Sequence, residues 1–77
     1  MAKAFILIET VVGRTKEVDA GLRHIGGVKS VDTVTGPYDI IAIVEAKDLN
    51  EIGDLVTGKI HPIAGISRTV TCLAIGG

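Results

Sequence analysis

Displaced by about half its length, the 77-residue sequence lies over itself without a gap: Val18 falls on Val56, Leu22 on Ile60, Ile25 on Ile63, Gly27 on Gly65 and Val28 on Ile66. An internal repeat of this kind means two copies of one supersecondary unit, neither able to bury its apolar face alone. In the first copy Ala4-Phe5-Ile6-Leu7-Ile8 has the β-branched and aromatic character of a strand, apolar on both faces. From Arg14 the spacing changes to Val18, Leu22 and Ile25, with Lys16, Glu17, Asp19 and Arg23 on the other side. That pattern predicts an amphipathic helix with Thr15 as its N-cap. Gly26-Gly27 stops it, because glycine takes the left-handed position past a helix end without steric cost. Residues 28–35 follow as a half-polar strand suited to a sheet edge.

The second copy is entered through the turn Gly36-Pro37-Tyr38-Asp39, where proline presets φ. The apolar strand 40–44 comes at once, so the strands on either side of the turn form a hairpin. Asp48-Leu49-Asn50-Glu51 is a capping box. The helix it opens turns Leu49, Ile52, Leu55, Val56 and Ile60 to one side and ends before Pro62. Residues 66–75 close the chain as a Thr- and Val-rich strand, polar at Ser67, Arg68, Thr69 and Thr71. Right-handed crossovers place strands one and three at the centre and two and four at the edges. The expected fold is α+β: a ferredoxin-like βαββαβ sandwich with a four-stranded antiparallel sheet and both helices on one face. Because the central strands are apolar on both faces, either Phe5 and Leu7 or Ile6 and Ile8, with one set from 40–44, would face water. Leaving four such side chains wet forgoes about 1.5–3 kcal/mol each, comparable to the whole stability of a small domain. Dimerisation through that second face, as in a dimeric α/β barrel, is the expected remedy.

A chain of this length holds one domain, 1–77, with too few residues for a second core. Apolar residues at 47% against 22% charged exclude a disordered chain. No uninterrupted apolar stretch is longer than 40–44, against the roughly 20 residues of a membrane helix. The start Met1-Ala2-Lys3 leads into no signal-peptide cleavage site, so a cytoplasmic protein with no membrane partner is expected. Eight Lys plus Arg, scattered singly, face nine Asp plus Glu, and the net charge of −1 offers no positive stripe for a phosphate backbone. No direct nucleic-acid partner is expected. The single Cys72 permits no internal disulfide, and two histidines without a Cys-x-x-Cys pair make no thiolate zinc site, so neither metal nor cofactor is expected. Small size without such staples again points to self-association.

Little in the chain carries reaction chemistry. Gly36 lacks a following Gly-Lys-Ser, and Gly26-Gly27 lies at a helix end where a phosphate loop needs a helix start. His24 and His61 fall at the ends of the two helices, where an imidazolium complements the macrodipole. Cys72, among Val70, Leu73 and Ile75, reads as a small buried hydrophobe. Asp39 is the one carboxylate in an apolar neighbourhood beside a tight turn, and it either binds a ligand ammonium or caps turn amides. Tyr38 puts a ring and a hydroxyl on the turn tip. Thr69 and Thr71 share one face of the last strand, their hydroxyls about 7 Å apart, placed either to receive a small polar ligand or simply by β propensity.

In their joint order, Ile25-Gly26-Gly27-Val28, Val34-Thr35-Gly36-Pro37-Tyr38-Asp39 before an apolar strand, and Ile63-Ala64-Gly65-Ile66 before Thr69-Val70-Thr71 resemble the effector-binding (RAM) domain of Lrp/AsnC transcription regulators. The resemblance covers nearly the whole chain. Regulators of that family carry an N-terminal helix-turn-helix domain, whereas here strand one begins by residue 4, so the likeness is to a stand-alone RAM protein. It implies homodimers assembling further, often into an octameric ring, with free amino acids bound in clefts between neighbouring dimers. It implies a role in transcriptional regulation through ligand-linked oligomerisation or association with full-length Lrp/AsnC regulators, with no catalytic residues. By the same resemblance Gly36, Pro37, Tyr38 and Asp39 line the cleft, and Thr69 and Thr71 meet the amino acid's α-groups. Two other readings share the topology. A small dimeric α+β barrel enzyme would want a convergent acid/base pair or a ring of aromatics, which 3% aromatic residues and two helix-end histidines do not provide. An ACT-type regulatory domain of an amino-acid enzyme would place its ligand near the first strand–helix loop, where Gly13 fits loosely.

Overall fold

Period-2 alternation decides which side of the sheet each apolar residue takes. In the computed structural model, which describes residues 1–75, strand β1 (Ala2–Thr10) turns Ala4, Ile6 and Ile8 inward and leaves Phe5 and Leu7 on the opposite face. The chain continues through α1 (Thr15–Arg23), β2 (Val28–Thr33), β3 (Ile40–Ala46), α2 (Leu49–Leu55), a π-helical turn (Val56–Ile60) and β4 (Ile66–Leu73). The sheet order is β2-β3-β1-β4, all antiparallel, so the half-polar strands lie at the edges as their composition predicts. Val18 and Leu22 from α1, with Ile52, Val56 and Ile60 from the second helical segment, pack on Ile6, Ile8, Ile40, Ala42, Val44 and Val31. This is the ferredoxin-like fold.

The repeat seen in the sequence is a repeat of hydrogen bonds. Ile25 donates to the Leu22 carbonyl at 3.2 Å, and its counterpart Ile63 to that of Ile60 at 3.0 Å. The glycine corners that follow, Gly27 at φ +96° and Gly65 at φ +100°, each accept an amide from the other half of the chain. Glu45 donates to Gly27 and Val11 to Gly65, at 2.9 and 2.8 Å. Both corners leave no space for a side chain: a Cβ on Gly27 would lie 2.6 Å from Leu55 Cδ1, and one on Gly65 3.0 Å from Arg14 Cβ and Val18 Cγ2.

The helix ends differ in part from their expected form. Asp48 caps α2 by accepting the Glu51 amide at 2.9 Å, and Glu51 reaches back to the Lys47 amide at 2.9 Å, completing the box one residue earlier than the standard form. Thr15 is not the N-cap of α1. Arg14 holds that position without a side-chain cap, because the Thr15 hydroxyl is bonded instead to that of Thr10 at 2.8 Å. The π-helical turn, with His61 donating to the Val56 carbonyl at 2.9 Å, solves a phase problem. Ile52 and Ile60 are eight residues apart, and a continuous α-helix would turn the second about 80° from the first, to the margin of the buried stripe. The wider turn brings Ile60 back into the core.

On the face away from the helices, Phe5 pairs with Ile43 and Leu7 with Ile41, and Leu7 and Phe5 pair on their other side with Val70 and Cys72. These residues are half-buried apart from Cys72, which is exposed. Cys72 is therefore not the buried hydrophobe expected, because its strand lies at an edge and its side chain leaves the sheet on the uncovered face. Leu49 also departs from expectation, being 57% exposed at the first position of α2. At the other end of the chain, the Ala74 amide donates to the Lys3 carbonyl at 2.9 Å, continuing the ladder between β1 and β4. No helix among the described residues is long and apolar enough to cross a membrane.

Candidate functional site

The turn between β2 and β3 is held open at its tip and pinned at its base. Gly36 takes φ +137°, a conformation that side chains resist, and Gly36 and Pro37 are exposed. At the base, the Val34 amide donates to the Asp39 carbonyl at 2.8 Å and the Asp39 amide to Ile8 at 2.9 Å. Asp39 also fastens the turn to the end of β1. Its Oδ2 accepts the Thr10 amide at 2.8 Å and the Thr10 hydroxyl at 3.2 Å, and that hydroxyl is the one bonded to Thr15. The amide that the Asp39 side chain accepts is not one of the turn's own, as the capping reading has it, but that of Thr10 at the end of β1. Oδ1 has no hydrogen-bond partner among the described residues and is not buried, so that half of the carboxylate stays available.

Tyr38 meets a residue that the motif reading passed over. Arg68 Nη2 donates to Tyr38 Oη at 3.3 Å, and the guanidinium carbon lies 5.9 Å from the ring centroid. The ion pairs among the described residues are Arg14–Glu17 and Arg23–Asp19, so Arg68 has no carboxylate partner there, although it pairs in register with Glu9. In the sequence Arg68 is one charge in a polar strand. Its closeness to Tyr38, 30 positions away, belongs to the sheet order alone.

Thr69 and Thr71 stand in register with Ile8 and Ile6 and so share the helix side of the sheet, as their spacing requires. The Thr69 hydroxyl is bonded to His61 Nε2 at 3.0 Å, which gives the helix-end histidine a partner. Thr71 is exposed and opens onto the groove between α2 and β4. Within one chain, then, Tyr38 joins Arg68, and Asp39 joins Thr10 and Thr15. The threonines of β4 make no hydrogen bond to the turn among the described residues: they stand on the helix side of the sheet, on the face opposite to Arg68, which reaches Tyr38 from the same strand. Among the described residues no three His, Cys, Asp or Glu side chains are grouped to hold a metal ion.

Over residues 3–76 the sequence matches the family described as the Lrp/AsnC ligand binding domain. A homocitrate synthase of Sulfurisphaera tokodaii is 41% identical over 61 residues, covering 79% of this chain and 13% of that one. An uncharacterized HTH-type transcriptional regulator of Pyrococcus furiosus is 38% identical over 74 residues, 92% of this chain and 49% of that one. The chain thus spans about half, or much less, of the curated relatives it matches. Among solved structures, a protein of Thermus thermophilus superposes with a TM-score of 0.94 at 38% identity, covering 100% of this chain and 96% of that one. The feast or famine regulatory protein of M. tuberculosis complexed with L-methionine shares the fold at a TM-score of 0.84 and 23% identity, over 100% of this chain and 52% of that one.

Proposed function

The chain belongs to the Lrp/AsnC ligand-binding domain family, and we propose that its 77 residues act as a single amino-acid sensing module in transcriptional regulation. It binds a free amino acid, catalyses no reaction, and passes the signal on through assembly, either with itself or with full-length regulators of the family. The observation that carries this reading is Asp39: a carboxylate held rigidly by one oxygen, with the other left to an incoming ammonium. The face bearing Phe5, Leu7, Ile41 and Ile43 forms the dimer, and dimers associate further, up to an octameric ring. Since turn and threonines stay apart in one chain, the site is completed between copies. Gly36, Pro37, Tyr38 and Asp39 of one dimer face Thr69 and Thr71 of its neighbour, whose hydroxyls meet the ligand's α-groups. Binding there favours the assembled form by mass action. The module works in the cytoplasm and does not bind DNA by itself.

The methionine complex of the M. tuberculosis protein supports the ligand class. A second reading draws on the homocitrate synthase, in which the matching segment is a small part of an enzyme: the same module senses an amino acid on behalf of an enzyme. Calorimetric titration with the full set of amino acids tests the common core of both. One or more should bind, and Asp39→Asn, which keeps an acceptor for Thr10 but loses the charge, should weaken that binding by about tenfold or more. Thr71→Val should weaken it to a smaller extent. If neither substitution changes the affinity of the amino acid that binds, the site lies elsewhere.

A further inference from the structure

We infer that the groove between α2 and the edge strand β4 receives the side chain of the bound amino acid and selects an uncharged aliphatic one. This inference rests on the sensing role proposed above and narrows its ligand class. The groove has a volume of about 390 Å3, and its wall is made by Leu49, Ile52, Gly53, Val56 and Leu73, with the hydroxyls of Thr57 and Thr71. The charges of the same helical segment are turned away from it: Glu51, Asp54 and Lys59 border a separate cleft with Gly27 and Glu45. A charged side chain entering the groove would lose its hydration and find no charged group among the lining residues, whereas every buried methylene is favourable. Because Thr71 belongs to the wall, an amino acid held there by its α-groups has the apolar surface within reach of its side chain.

Two features of this wall have no use inside the protomer. Leu49 and Leu73 are 57% and 46% exposed, a pair of large apolar residues left wet on either side of one groove. Gly53 lies within α2, where glycine destabilises relative to alanine, yet it has no positive φ and a Cβ added to it would meet nothing within 4 Å. Packing within the chain does not ask for glycine at that position. What its missing side chain provides is room in the groove.

The experiment is calorimetric titration of the full chain with glycine, alanine, valine, leucine, methionine, aspartate and lysine. Affinity should rise by about fourfold per added methylene from alanine to leucine. Aspartate and lysine should bind about tenfold more weakly than leucine, or worse. Gly53→Leu fills the groove, and Leu49→Ser strips an exposed part of its wall without touching the core. In both, the ratio of leucine to alanine affinity should fall towards one. Gly53→Ala, which should melt no lower than the parent chain, separates narrowing of the groove from loss of fold and should lower the ratio partway. A flat series, a series led by a charged amino acid, or a ratio unmoved in these variants overturns the inference and leaves the sensing role standing. Binding of no amino acid whatever overturns both.

Discussion

Three of the four glycines with positive φ among the described residues show how differently one residue type is used. At Gly36 the backbone alone is unusual, with φ +137° and nothing within 4 Å of an added Cβ, and Gly36→Ala should cost about 1–3 kcal/mol of conformational strain. At Gly65, with φ +100°, backbone strain of similar order is joined by collision with Arg14 Cβ and the fully buried Val18, which should add about 1–3 kcal/mol to the cost of Gly65→Ala. Gly27 stands between them, because the Leu55 terminus that it meets is half-buried and can yield, although the Glu45 carbonyl at 3.3 Å cannot move freely. Urea denaturation of the alanine variants should therefore rank their midpoints Gly36, Gly27, Gly65 in descending order. A Gly65→Ala midpoint equal to that of Gly36→Ala would contradict the packing derived for this corner. Asp39 presents the same lesson in electrostatics: sequence identifies a carboxylate beside a turn, and only the sheet shows that Thr10 occupies one of its oxygens and leaves the other free.

Helix α1 is tied to strand β2 by a small polar cluster. Arg23 Nε donates to Asp19 at 2.6 Å while its Nη2 donates to the Val31 carbonyl at 2.8 Å, and the Thr33 hydroxyl donates to Asp19 at 3.1 Å. The hydrogen bond from Arg23 holds the Asp19 carboxyl below its ordinary range, with Thr33 and the Arg23 charge acting the same way against a partial burial that raises it. The folded value lies below the unfolded one. Asp19 therefore contributes its full stabilisation above the unfolded value and loses it as pH falls through the folded one. Compared with Asp19→Asn, the parent chain should hold a small, constant advantage in urea midpoint near neutrality that shrinks as the medium is acidified below the carboxylate range. An advantage that grows on acidification would reverse the assignment. At this scale much was legible in the sequence: strand order, edge and centre, both glycine corners and the Asp48 cap all follow from spacing, because burial imposes a period. The side of the sheet taken by Phe5 and Leu7 was not, since the alternate set is equally apolar. Nor was the π-helical turn, because Val56 and Ile60 at a spacing of four suit an α-helix as well. The Tyr38–Arg68 and Thr10–Thr15 pairs were hidden for a plainer reason: each joins two different elements, and local patterns do not record which elements meet.

For the molecule as a whole, the uncovered sheet face sets the expected state in solution. Light scattering at micromolar concentration should find a dimer or a larger particle, and a stable species at the single-chain mass of 8.0 kDa would refute the packing argument. Ile43, central on that face opposite Phe5, is the place to test it: Ile43→Lys should shift the population to monomers or lower the melting temperature. Mobility-shift assays at low salt, with and without amino acids, should show no sequence-specific retardation of DNA by the pure protein, in keeping with a net charge of −1. The bond from Ala74 to Lys3 bears on a different question. It places the first and last strands side by side with residues 3 and 74 at one corner of the sheet, and the 36–39 turn leaves from the opposite end, beside Ile8 and Thr10. A segment spliced on ahead of residue 3 or behind residue 74 is attached at the end of the sheet away from the turn. Such a fold is indifferent to gene order: evolution can bolt it to the front or the rear of an unrelated polypeptide, and the turn end of the sheet is the point of attachment in neither case.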